Sequence, residues 1–508
     1  MKKYLILIAL LFITQLFVAV SATNAPNIEW QKYPEEGVNE FPKSVIQTSD
    51  GGYVVSGGYY MGIPSDIDLF VSKLNSNGDI EWQKCHGGSN TDFGDCIIQT
   101  SDGGYAVAGY TYSKDGDLSD NHGEHDLWVV KLDLNGNLEW QKCYGGSYYD
   151  SGAGIIQTSD GGYAVAGSTS STDGDVSGNN GSSDFWILKL DSVGNLEWQK
   201  CYGGSREEGA SGIIQTSDGG YVVVGSTVSK DGDVTGNHNY TFNDFWILKL
   251  NSNGNLEWQK CLGGSDGDFA SGIVMASDGG YVVAGLTKST DGDVNGNHGM
   301  SDFWVVKLSS NGDLEWQECL GGSREDSANS IKKTSDGGYV VAGTTSSSDE
   351  DVAASYGYRD FWIVKLNSDG NLEWQKCHGG IRDDVVYDIV QTFDGGYVFT
   401  GETGLYSPIN DELTDDEYPG NNGCVFKLGY GYVTTSTPTN PPASTQTISP
   451  TITNTPLPSP TYDAQAEIES LREKTKELEE KSANLEERLA KQETLVEMIM
   501  NYFHSIFG

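Results

Sequence analysis

Short runs of apolar residues, separated by tight-turn sequences, form the pattern of this chain from residue 27 to residue 428. One copy reads GIIQT, GYVVVGST, DFWILKL and NLEWQKC, and its valine, isoleucine, tryptophan and tyrosine content favours strands. The intervening DGG and NSNG sequences supply Asn, Asp and Gly, which tolerate the positive φ of hairpin turns. No stretch before residue 460 shows a helical period. The pattern predicts units of four antiparallel strands and an all-β fold.

This four-strand unit occurs seven times. The tryptophan of its Glu-Trp-Gln tripeptide recurs at steps of 52, 58, 58, 60, 58 and 58 residues, at Trp30, Trp82, Trp140, Trp198, Trp258, Trp316 and Trp374. Four strands repeated seven times predict a seven-bladed β-propeller. A sheet-only solenoid is the alternative fold, although its repeats are usually shorter.

The two ends of the repeat region complement each other. If the strands of a unit are called a, b, c and d, residues 27–32 (NIEWQK) form a strand d with no a, b or c before it. The last repeat has strands a, b and c within residues 388–428 and no strand d. We therefore expect the N-terminal strand to complete the last blade and close the ring, which leaves no open sheet edge there.

The composition divides the chain into four parts. Residues 1–22 resemble a signal peptide, with Lys2 and Lys3, an apolar core and the small residues Val20-Ser21-Ala22; an uncleaved N-terminal anchor is the alternative. Residues 23–430 are the predicted propeller. Residues 431–462 are rich in Pro, Thr and Ser and predict a disordered stalk, either O-glycosylated or a plain spacer. Residues 463–508 predict a coiled-coil helix.

The coiled-coil prediction depends on an unbroken spacing of four and three residues with charged residues between. The apolar seam, which we expect to mediate homo-oligomerisation, comprises Ile468, Leu471, Leu478, Leu485, Leu489, Val496 and Ile499. Because the last turns are more apolar than a two-stranded seam needs, a larger bundle and docking on a membrane or another protein stay open. A single amphipathic helix folded back on the propeller is the remaining alternative.

The net charge argues against one class of function, and the cysteine positions indicate that disulfides between blades are absent. The formal net charge is -41, which argues against nucleic-acid binding because phosphates would be repelled. Six of the eight cysteines occupy one repeated position at the end of strand d: Cys85, Cys143, Cys201, Cys261, Cys319 and Cys377. Equivalent positions of different blades lie too far apart for a disulfide, which needs Cα atoms within about 7 Å. We expect free thiols that pack as small apolar side chains.

Candidate chemistry lies on the long d–a and b–c connections, which fall on one face of a propeller, since binding is usually carried by long loops on a rigid scaffold. All seven units carry a carboxylate five residues before strand a, at Glu40, Asp92, Asp150, Glu208, Asp268, Asp326 and Asp384. One interpretation is a cation-attracting ring at the channel mouth. The other is that each carboxylate accepts backbone N–H groups in its own loop, as its presence in every unit suggests.

The b–c loops carry a second acidic pattern, Asp-Gly-Asp followed by Gly and Asn. Carboxylates at i and i+2 are suitable oxygen ligands for Ca²⁺, although the bidentate glutamate of an EF-hand is missing. The candidate ligands are Asp115, Asp117, Asp173, Asp175, Asp231, Asp233, Asp291 and Asp293. An Asx-turn loop without a metal is the alternative. The sequence predicts no other cofactor, and no catalytic residues.

The repeats as a whole are familiar. The pattern DFWVVKLxxxGNLEWQKCxGGS followed by TSDGGYVVAG resembles the secreted β-propeller repeat proteins of bacteria and archaea, over residues 27–428. That resemblance implies a propeller in an extracellular setting, with no established activity. KLDLNGNLEWQ is also similar to the repeat of quinoprotein dehydrogenases, which are typically eight-bladed, but no recognisable cofactor site accompanies it.

Together these patterns predict a secreted or cell-surface, non-enzymatic adhesion propeller, displayed multivalently on a coiled-coil stalk. Its expected ligand is a glycan or a protein, bound on the face of the d–a and b–c loops. Two alternatives are an extracellular carbohydrate-active enzyme that uses the channel-mouth carboxylates and a structural component of the cell envelope. Residues 59–67 and 402–422 replace the Asp-Gly-Asp loop, so asymmetry, and with it specificity, is expected near the ring closure.

Overall fold

The computed structural model of the protein describes residues 25–33, 40–60, 67–118, 121–404 and 422–430. The predictions of a signal peptide, a stalk and a coiled coil, including its seven seam residues, lie outside these residues and stay predictions.

The chain divides into two units, Met1–Val433 and Thr434–Gly508, and every described residue belongs to the first. Among the described residues there is no helix long and apolar enough to cross a membrane.

The described chain forms 28 strands in seven four-stranded antiparallel sheets, which are the seven predicted blades. Blade 1 consists of β2 (Glu40–Gln47), β3 (Tyr53–Tyr60), β4 (Ile67–Leu74) and β5 (Ile80–His86). Blade 2 consists of β6 (Asp92–Gln99), β7 (Tyr105–Thr111), β8 (Asp126–Leu132) and β9 (Leu138–Tyr144). Blade 3 consists of β10 (Asp150–Gln157), β11 (Tyr163–Thr169), β12 (Asp184–Leu190) and β13 (Leu196–Tyr202).

The second half of the ring repeats this order. Blade 4 consists of β14 (Glu208–Gln215), β15 (Tyr221–Thr227), β16 (Asp244–Leu250) and β17 (Leu256–Leu262). Blade 5 consists of β18 (Asp268–Met275), β19 (Tyr281–Thr287), β20 (Asp302–Leu308) and β21 (Leu314–Leu320). Blade 6 consists of β22 (Asp326–Lys333), β23 (Tyr339–Thr345), β24 (Asp360–Leu366) and β25 (Leu372–His378). Blade 7 consists of β26 (Asp384–Gln391), β27 (Tyr397–Thr403), β28 (Asn422–Gly429) and β1 (Asn27–Lys32).

The order of blade 7 confirms the predicted ring closure. The N-terminal strand β1 pairs antiparallel with β28, with Trp30 opposite Lys427 and Lys32 opposite Val425. Strand d of the last blade is therefore supplied by the start of the chain. The boundary between blade 7 and blade 1, where the two ends of the ring meet, is called the closing seam below.

Strand a of every blade lines the central channel and carries a β-bulge at its fourth residue, where the register to strand b shifts. A bulge leaves one residue unpaired and re-aims its side chain. The bulged residues are Lys43, Asp95, Ala153, Ser211, Ser271, Asn329 and Tyr387.

The core lies between neighbouring blades, where aromatic side chains of adjacent strands c interlock. Phe185 of blade 3 packs against Trp246 of blade 4 with ring centroids 4.7 Å apart, and Phe303 packs against Trp362 at 4.5 Å. Such tilted pairs add to the free energy of apolar burial. Trp246 and Trp362 are fully buried, so each blade is stabilised mainly by its neighbours, as in other repeat proteins.

A buried lysine ties the turns of each blade to its outer strands. Lys131 Nζ lies 3.0 Å from Asp102 of the a–b turn and 2.8 Å from Glu139 of strand d, and it donates to the Leu132 carbonyl. Desolvation opposes ionisation of Asp102, but hydrogen bonds from Thr100, the Gly104 N–H and Lys131 bring its pKa down to about 2. The turn itself needs the positive φ of Gly103, at 88°.

The cysteines agree with the expected absence of disulfides between blades, since none of the eight forms a disulfide. Their packing varies more than expected. Cys143, Cys261 and Cys319 are buried, Cys201 and Cys377 are partly buried, and Cys85 is exposed.

Candidate functional site

The d–a and b–c connections meet at one end of the propeller, which is called the loop face below. His125, at the end of a b–c loop, bridges in parallel to Tyr149 of the next d–a loop. The Asp117 N–H donates to the Gly87 carbonyl at 3.0 Å, which joins a b–c loop to the preceding d–a loop. The expected placement of both sets of loops on one face is therefore found in the described residues.

The seven carboxylates expected at the channel mouth do not form an exposed ring, and that interpretation was wrong. Each is the first residue of strand a, and six of the seven are buried inside their own blade: Asp92, Asp150, Glu208, Asp268, Asp326 and Asp384. Asp92 accepts hydrogen bonds from Thr111 Oγ1, from Ser113 Oγ at 2.7 Å and from the Gly88 N–H at 2.7 Å. Such saturated, desolvated carboxylates hold loops together and offer no charge to a ligand.

Each buried carboxylate faces another acid from the preceding blade. A methyl group placed on Gly145 would meet both Asp126 Oδ1 and Asp150 Oδ2 at 2.7 Å. Burial raises the pKa of the corresponding acids: to about 7 for Asp184 and to about 6 for Asp268. The negative charge of the neighbouring acid adds to this rise in pKa, since like charges disfavour ionisation.

Glu40 is the exception among the seven. Its carboxylate accepts a hydrogen bond from Gln83 Nε2 at 2.8 Å, which is its one hydrogen bond to a side chain among the described residues. The threonine that serves Asp92 is replaced by Tyr59 at the equivalent position of blade 1. Burial raises the pKa of Glu40 and the Gln83 hydrogen bond opposes this.

The Asp-Gly-Asp loops do not present a calcium site. Asp115 Oδ1 accepts from the Ser89 N–H at 2.8 Å, and Asp117 Oδ2 from the Gly87 N–H at 3.3 Å. The same two contacts recur for the other candidate ligands, Asp173, Asp175, Asp231, Asp233, Asp291 and Asp293. In the part of the chain that is described, no group of three or more Asp, Glu, His or Cys side chains could hold a metal ion. These oxygens serve backbone N–H groups, so the residues do not fit the predicted cation.

The closing seam encloses a cavity of about 450 Å³, called the seam cavity below. Its wall includes the rings of Tyr33, Tyr59 and Phe70. Glu40 and Gln83 lie on the same wall. Residues 59–67 and 402–422 depart from the repeat and predict asymmetry near the closure, but their sequence alone does not indicate a cavity.

The channel holds a second asymmetric feature. At the bulge, blades 3, 4 and 5 carry the small residues Ala153, Ser211 and Ser271, whereas the other four blades carry Asn329, Tyr387, Lys43 and Asp95. Lys43 Nζ lies 3.3 Å from the centroid of the Tyr387 ring. Burial raises the pKa of Asp95 to about 6, and the positive charge of Lys43 opposes the shift. An alignment of the seven repeats would have shown this departure.

The loop face also carries exposed apolar side chains that the sequence argument did not select. They are Tyr33, Tyr112, Tyr148, Tyr149, Tyr240, Phe242, Phe269, Met300, Tyr356, Tyr358 and Ile381. At the opposite end, in the a–b and c–d turns and the strand ends beside them, the exposed large apolar side chains are Ile80, Leu134, Val193, Leu314, Phe393 and Tyr430. Among the described residues, nine of the eleven on the loop face are aromatic, against two of six at the opposite end.

Fold and site together define a seven-bladed β-propeller whose blades are near-identical repeats, with departures at the closing seam, the channel and the loop face. No family model matches the chain. It is 27% identical over 199 residues to the regulatory protein FlaEY of Caulobacter vibrioides, which covers 36% of this chain and 20% of that protein. The match thus spans about a fifth of the length of this curated relative.

Solved structures whose chains follow a similar course have low sequence identity and low TM-scores. Sqt1 of Chaetomium thermophilum, bound to the N-terminus of the ribosomal protein L10, has a TM-score of 0.39 at 11% identity, covering 73% of this chain and 84% of Sqt1. Quinohemoprotein alcohol dehydrogenase of Comamonas testosteroni has a TM-score of 0.41 at 11% identity, covering 81% of this chain and 77% of that enzyme. Likenesses at this level carry no argument about function.

Proposed function

We propose that this protein is a non-enzymatic binding propeller of the cell exterior that recognises a glycan through its loop face. The observation that supports this is the concentration of exposed aromatic side chains on that face. Tyr358 is 77% exposed, Tyr240 is 65% exposed and Tyr148 is 58% exposed. Aromatic side chains present a rigid apolar ring, and a tyrosine adds a polar hydroxyl, so they pack on the apolar face of a sugar at little cost in conformational entropy.

The scaffold beneath this face is suited to presenting a fixed surface. The b–c and d–a loops that carry several of these tyrosines are tied to each other by backbone bridges, His125 to Tyr149 and Arg359 to Asp383. Buried carboxylates hold the loop bases, as Asp150 does with Ser171 Oγ at 2.8 Å. Rigid presentation reduces the entropy lost on binding.

The carbohydrate-active enzyme is the weaker alternative. Glycoside hydrolysis needs two carboxylates at a definite separation on either side of an accessible glycosidic bond. Six of the seven carboxylates that this alternative would use are buried, as Asp268 and Asp326 are, and accept hydrogen bonds within their own blades.

Multivalent display is the second part of the proposal. A coiled coil over residues 463–508 would bring several propellers onto one stalk, and avidity would then raise the apparent affinity for a repeated ligand. The test is the mass in solution of residues 23–508 and of residues 23–430. An oligomer that becomes a monomer on shortening supports display; monomers in both cases remove the avidity part and leave the binding face untouched.

The binding proposal is tested on an immobilised glycan array with the full mature chain and a triple variant, Tyr149→Ser, Tyr240→Ser and Tyr358→Ser. We expect the variant to lose binding by about tenfold or more, since each ring removed costs a sizeable fraction of the contact energy. The matched control is Leu134→Ser, Val193→Ser and Phe393→Ser on the opposite face, which should bind like the unaltered chain. The proposal would be contradicted if both variants lost glycan binding equally, or if the unaltered chain bound no glycan.

A further inference from the structure

The closing seam lacks the aromatic pair that fills the boundaries between blades 3 and 6. There, phenylalanine in the second position of strand c packs on tryptophan in the third position of the next strand c, as Phe245 does on Trp304 at 4.6 Å. By the register of strand c against strand b, the same two positions at the seam are Gly423 of blade 7 and Phe70 of blade 1. Glycine lacks the ring of the usual phenylalanine, and phenylalanine is smaller than the usual tryptophan. The boundary between blades 7 and 1 is therefore less completely filled.

A second substitution enlarges the gap. Counted from the aspartate that opens the repeat's strand c, which is Asp68 in blade 1, the fifth position is Val130 in blade 2, Leu248 in blade 4 and Ser72 in blade 1. Among the described residues, the cluster of buried apolar side chains at the seam has six members, against fourteen between blades 3 and 4. The missing volume accounts for the seam cavity, since well-packed boundaries leave no void of this size.

The glycine at the seam cannot simply be replaced to restore the pair. A Cβ on Gly423 would lie 2.5 Å from the Glu40 carbonyl oxygen and 3.0 Å from Pro42 Cγ. Strand a of blade 1 therefore excludes the usual phenylalanine. The cavity therefore results from the way β28 and β2 meet at the closing seam, and not from one substitution to a smaller residue.

The walls of the seam cavity are chemically mixed. Tyr33, Tyr59 and Phe70 supply rings, and Tyr33 stands edge-on to Phe426 with centroids 5.9 Å apart. Gln83 and Glu40 supply an amide and a carboxyl group that are joined by one hydrogen bond of 2.8 Å. A volume of about 450 Å³ is within the range of small-molecule sites, which are mostly apolar with a few convergent polar groups.

One polar group in the wall has no partner. Ser72 is 5% exposed, lines the cavity, and its hydroxyl makes no hydrogen bond within the described residues. A buried hydroxyl without a partner costs free energy, so such groups are normally satisfied by protein, water or a ligand. The hydroxyl group of Ser72 is an observation independent of the cavity volume, and it also indicates that a water molecule or a ligand occupies the cavity.

The charges at the rim are balanced. Lys32 Nζ lies 2.9 Å from Asp79 Oδ1 across the mouth, so neither offers a full unpaired charge to a ligand. What remains inside is an amide, a carboxyl group and a hydroxyl beside three rings. A quaternary ammonium ion would use the carboxyl group and the rings, but it would leave the amide and the hydroxyl group without a hydrogen bond to the ligand. No group of three or more Asp, Glu, His or Cys side chains in the described residues could hold a metal ion here.

We propose that the seam cavity binds one neutral sugar residue, with its apolar face on the rings of Tyr33, Tyr59 and Phe70 and its hydroxyl groups hydrogen-bonded to Glu40, Gln83 and Ser72. Sugar hydroxyls both donate and accept, which matches an acceptor carboxylate, an amide and a hydroxyl group. The site uses none of the three tyrosines altered in the loop-face variant and does not depend on the function proposed for that face.

The test fills the cavity by giving blade 1 the larger side chains that blade 2 has at the same positions. The double variant Phe70→Trp and Ser72→Val copies Trp128 and Val130 of blade 2, and Glu40→Gln removes the carboxylate while keeping its size. The probe is a panel of methyl glycosides of glucose, galactose, mannose and N-acetylglucosamine, titrated into the full mature chain and followed by saturation-transfer NMR. We expect saturable binding of at least one glycoside, weakened about tenfold or more by either variant, as expected when a fitted contact is lost.

Two controls separate the outcomes. The double variant should melt at the same temperature as the unaltered chain or higher, so that lost binding cannot be attributed to misfolding. The loop-face triple variant should keep glycoside binding at the seam. Binding that survives filling of the cavity, no saturable binding of any glycoside, or preferential binding of choline would each overturn the proposal.

Discussion

The carboxylate of Asp388 accepts a hydrogen bond of 3.0 Å from the hydroxyl of Ser44, across 344 positions of sequence. The same Oδ2 accepts from the Val45 N–H at 3.1 Å, and Oδ1 accepts from Ser330 Oγ at 2.7 Å and from Lys332 Nζ at 3.0 Å. Asp388 thus binds strand a of blade 7 to strand a of both neighbouring blades. Blades 2 to 6 carry no aspartate at this position, so the contact belongs to the ring closure.

The first prediction concerns this residue. Asp388→Ala should destabilise the propeller by about 3 kcal/mol, because it leaves a lysine and two hydroxyl groups unpaired in the channel wall. Ser330→Ala removes a single hydrogen bond and should cost about 1 kcal/mol. Urea unfolding of both variants measures the difference. Equal midpoints would mean that Asp388 does not hold the closure.

The second prediction concerns pH. The pKa is raised to about 7 in Asp184 and to about 6 in Asp268, Asp302 and Asp384. The folded state keeps protons that the unfolded chain, with ordinary carboxyl groups, has already released. Their contribution to stability is therefore lost as the pH rises from about 4 through 7.

The turn aspartates act in the opposite direction. Asp102 and Asp160 have a pKa lowered to about 2, so the stability they contribute is present above about pH 4 and lost as the pH falls towards 2. The two groups together predict a melting temperature that is highest near pH 4 to 5 and several degrees lower near pH 7.5. Melting curves at constant ionic strength test this. Asp184→Asn, which mimics the protonated acid, should flatten the decline, and an unchanged slope would contradict the assignment.

The third prediction concerns metal removal. Because Asp115 and Asp117 already accept backbone N–H groups, excess EDTA should leave the melting temperature unchanged. Added calcium should not raise it. A fall of several degrees on chelation, reversed by calcium, would show that these loops bind metal after all.

The fourth prediction concerns the boundaries between blades. Trp304 is fully buried against Phe245, whereas Trp316 is partly exposed over the turn at Gly370. Trp304→Ala should cost about 3–5 kcal/mol, as for a large aromatic removed from a packed core, and Trp316→Ala clearly less. Comparable urea midpoints would contradict a core that lies between the strands c.

The repeat was sufficient to predict the blade count, the strand order and the closure, because each rests on local patterns that recur. Trp30 in a strand without a preceding a, b or c indicated directly that β1 completes blade 7. The same regularity misled the site prediction. A carboxylate such as Asp150 recurs in every blade because it accepts hydrogen bonds from Thr169, Ser171 and the Gly146 N–H, and spacing alone does not distinguish a buried acceptor from an exposed charge.

The seam cavity and the contacts of Asp388 could not be predicted from spacing, because both arise between segments at opposite ends of the repeat region. Gly423 and Phe70 are unremarkable substitutions until β28 and β4 become neighbours. The sequence shows that Gly423 and Phe70 differ from the usual phenylalanine and tryptophan. The volume of the cavity that they leave depends on how the surrounding side chains pack. The exposed tyrosines of the loop face were likewise visible as residues, and their exposure depends on how the loops fold.

The proposed binding of ligands on the loop face is tested most directly by hydrogen–deuterium exchange of residues 23–508 with and without a glycan identified on the array. The account predicts protection in the loops that contain Tyr148 and Tyr149, Tyr240 and Phe242, and Tyr356 and Tyr358. The a–b and c–d turns at the opposite end should exchange at unchanged rates. Protection confined to those turns, or none on the loop face, would contradict the account.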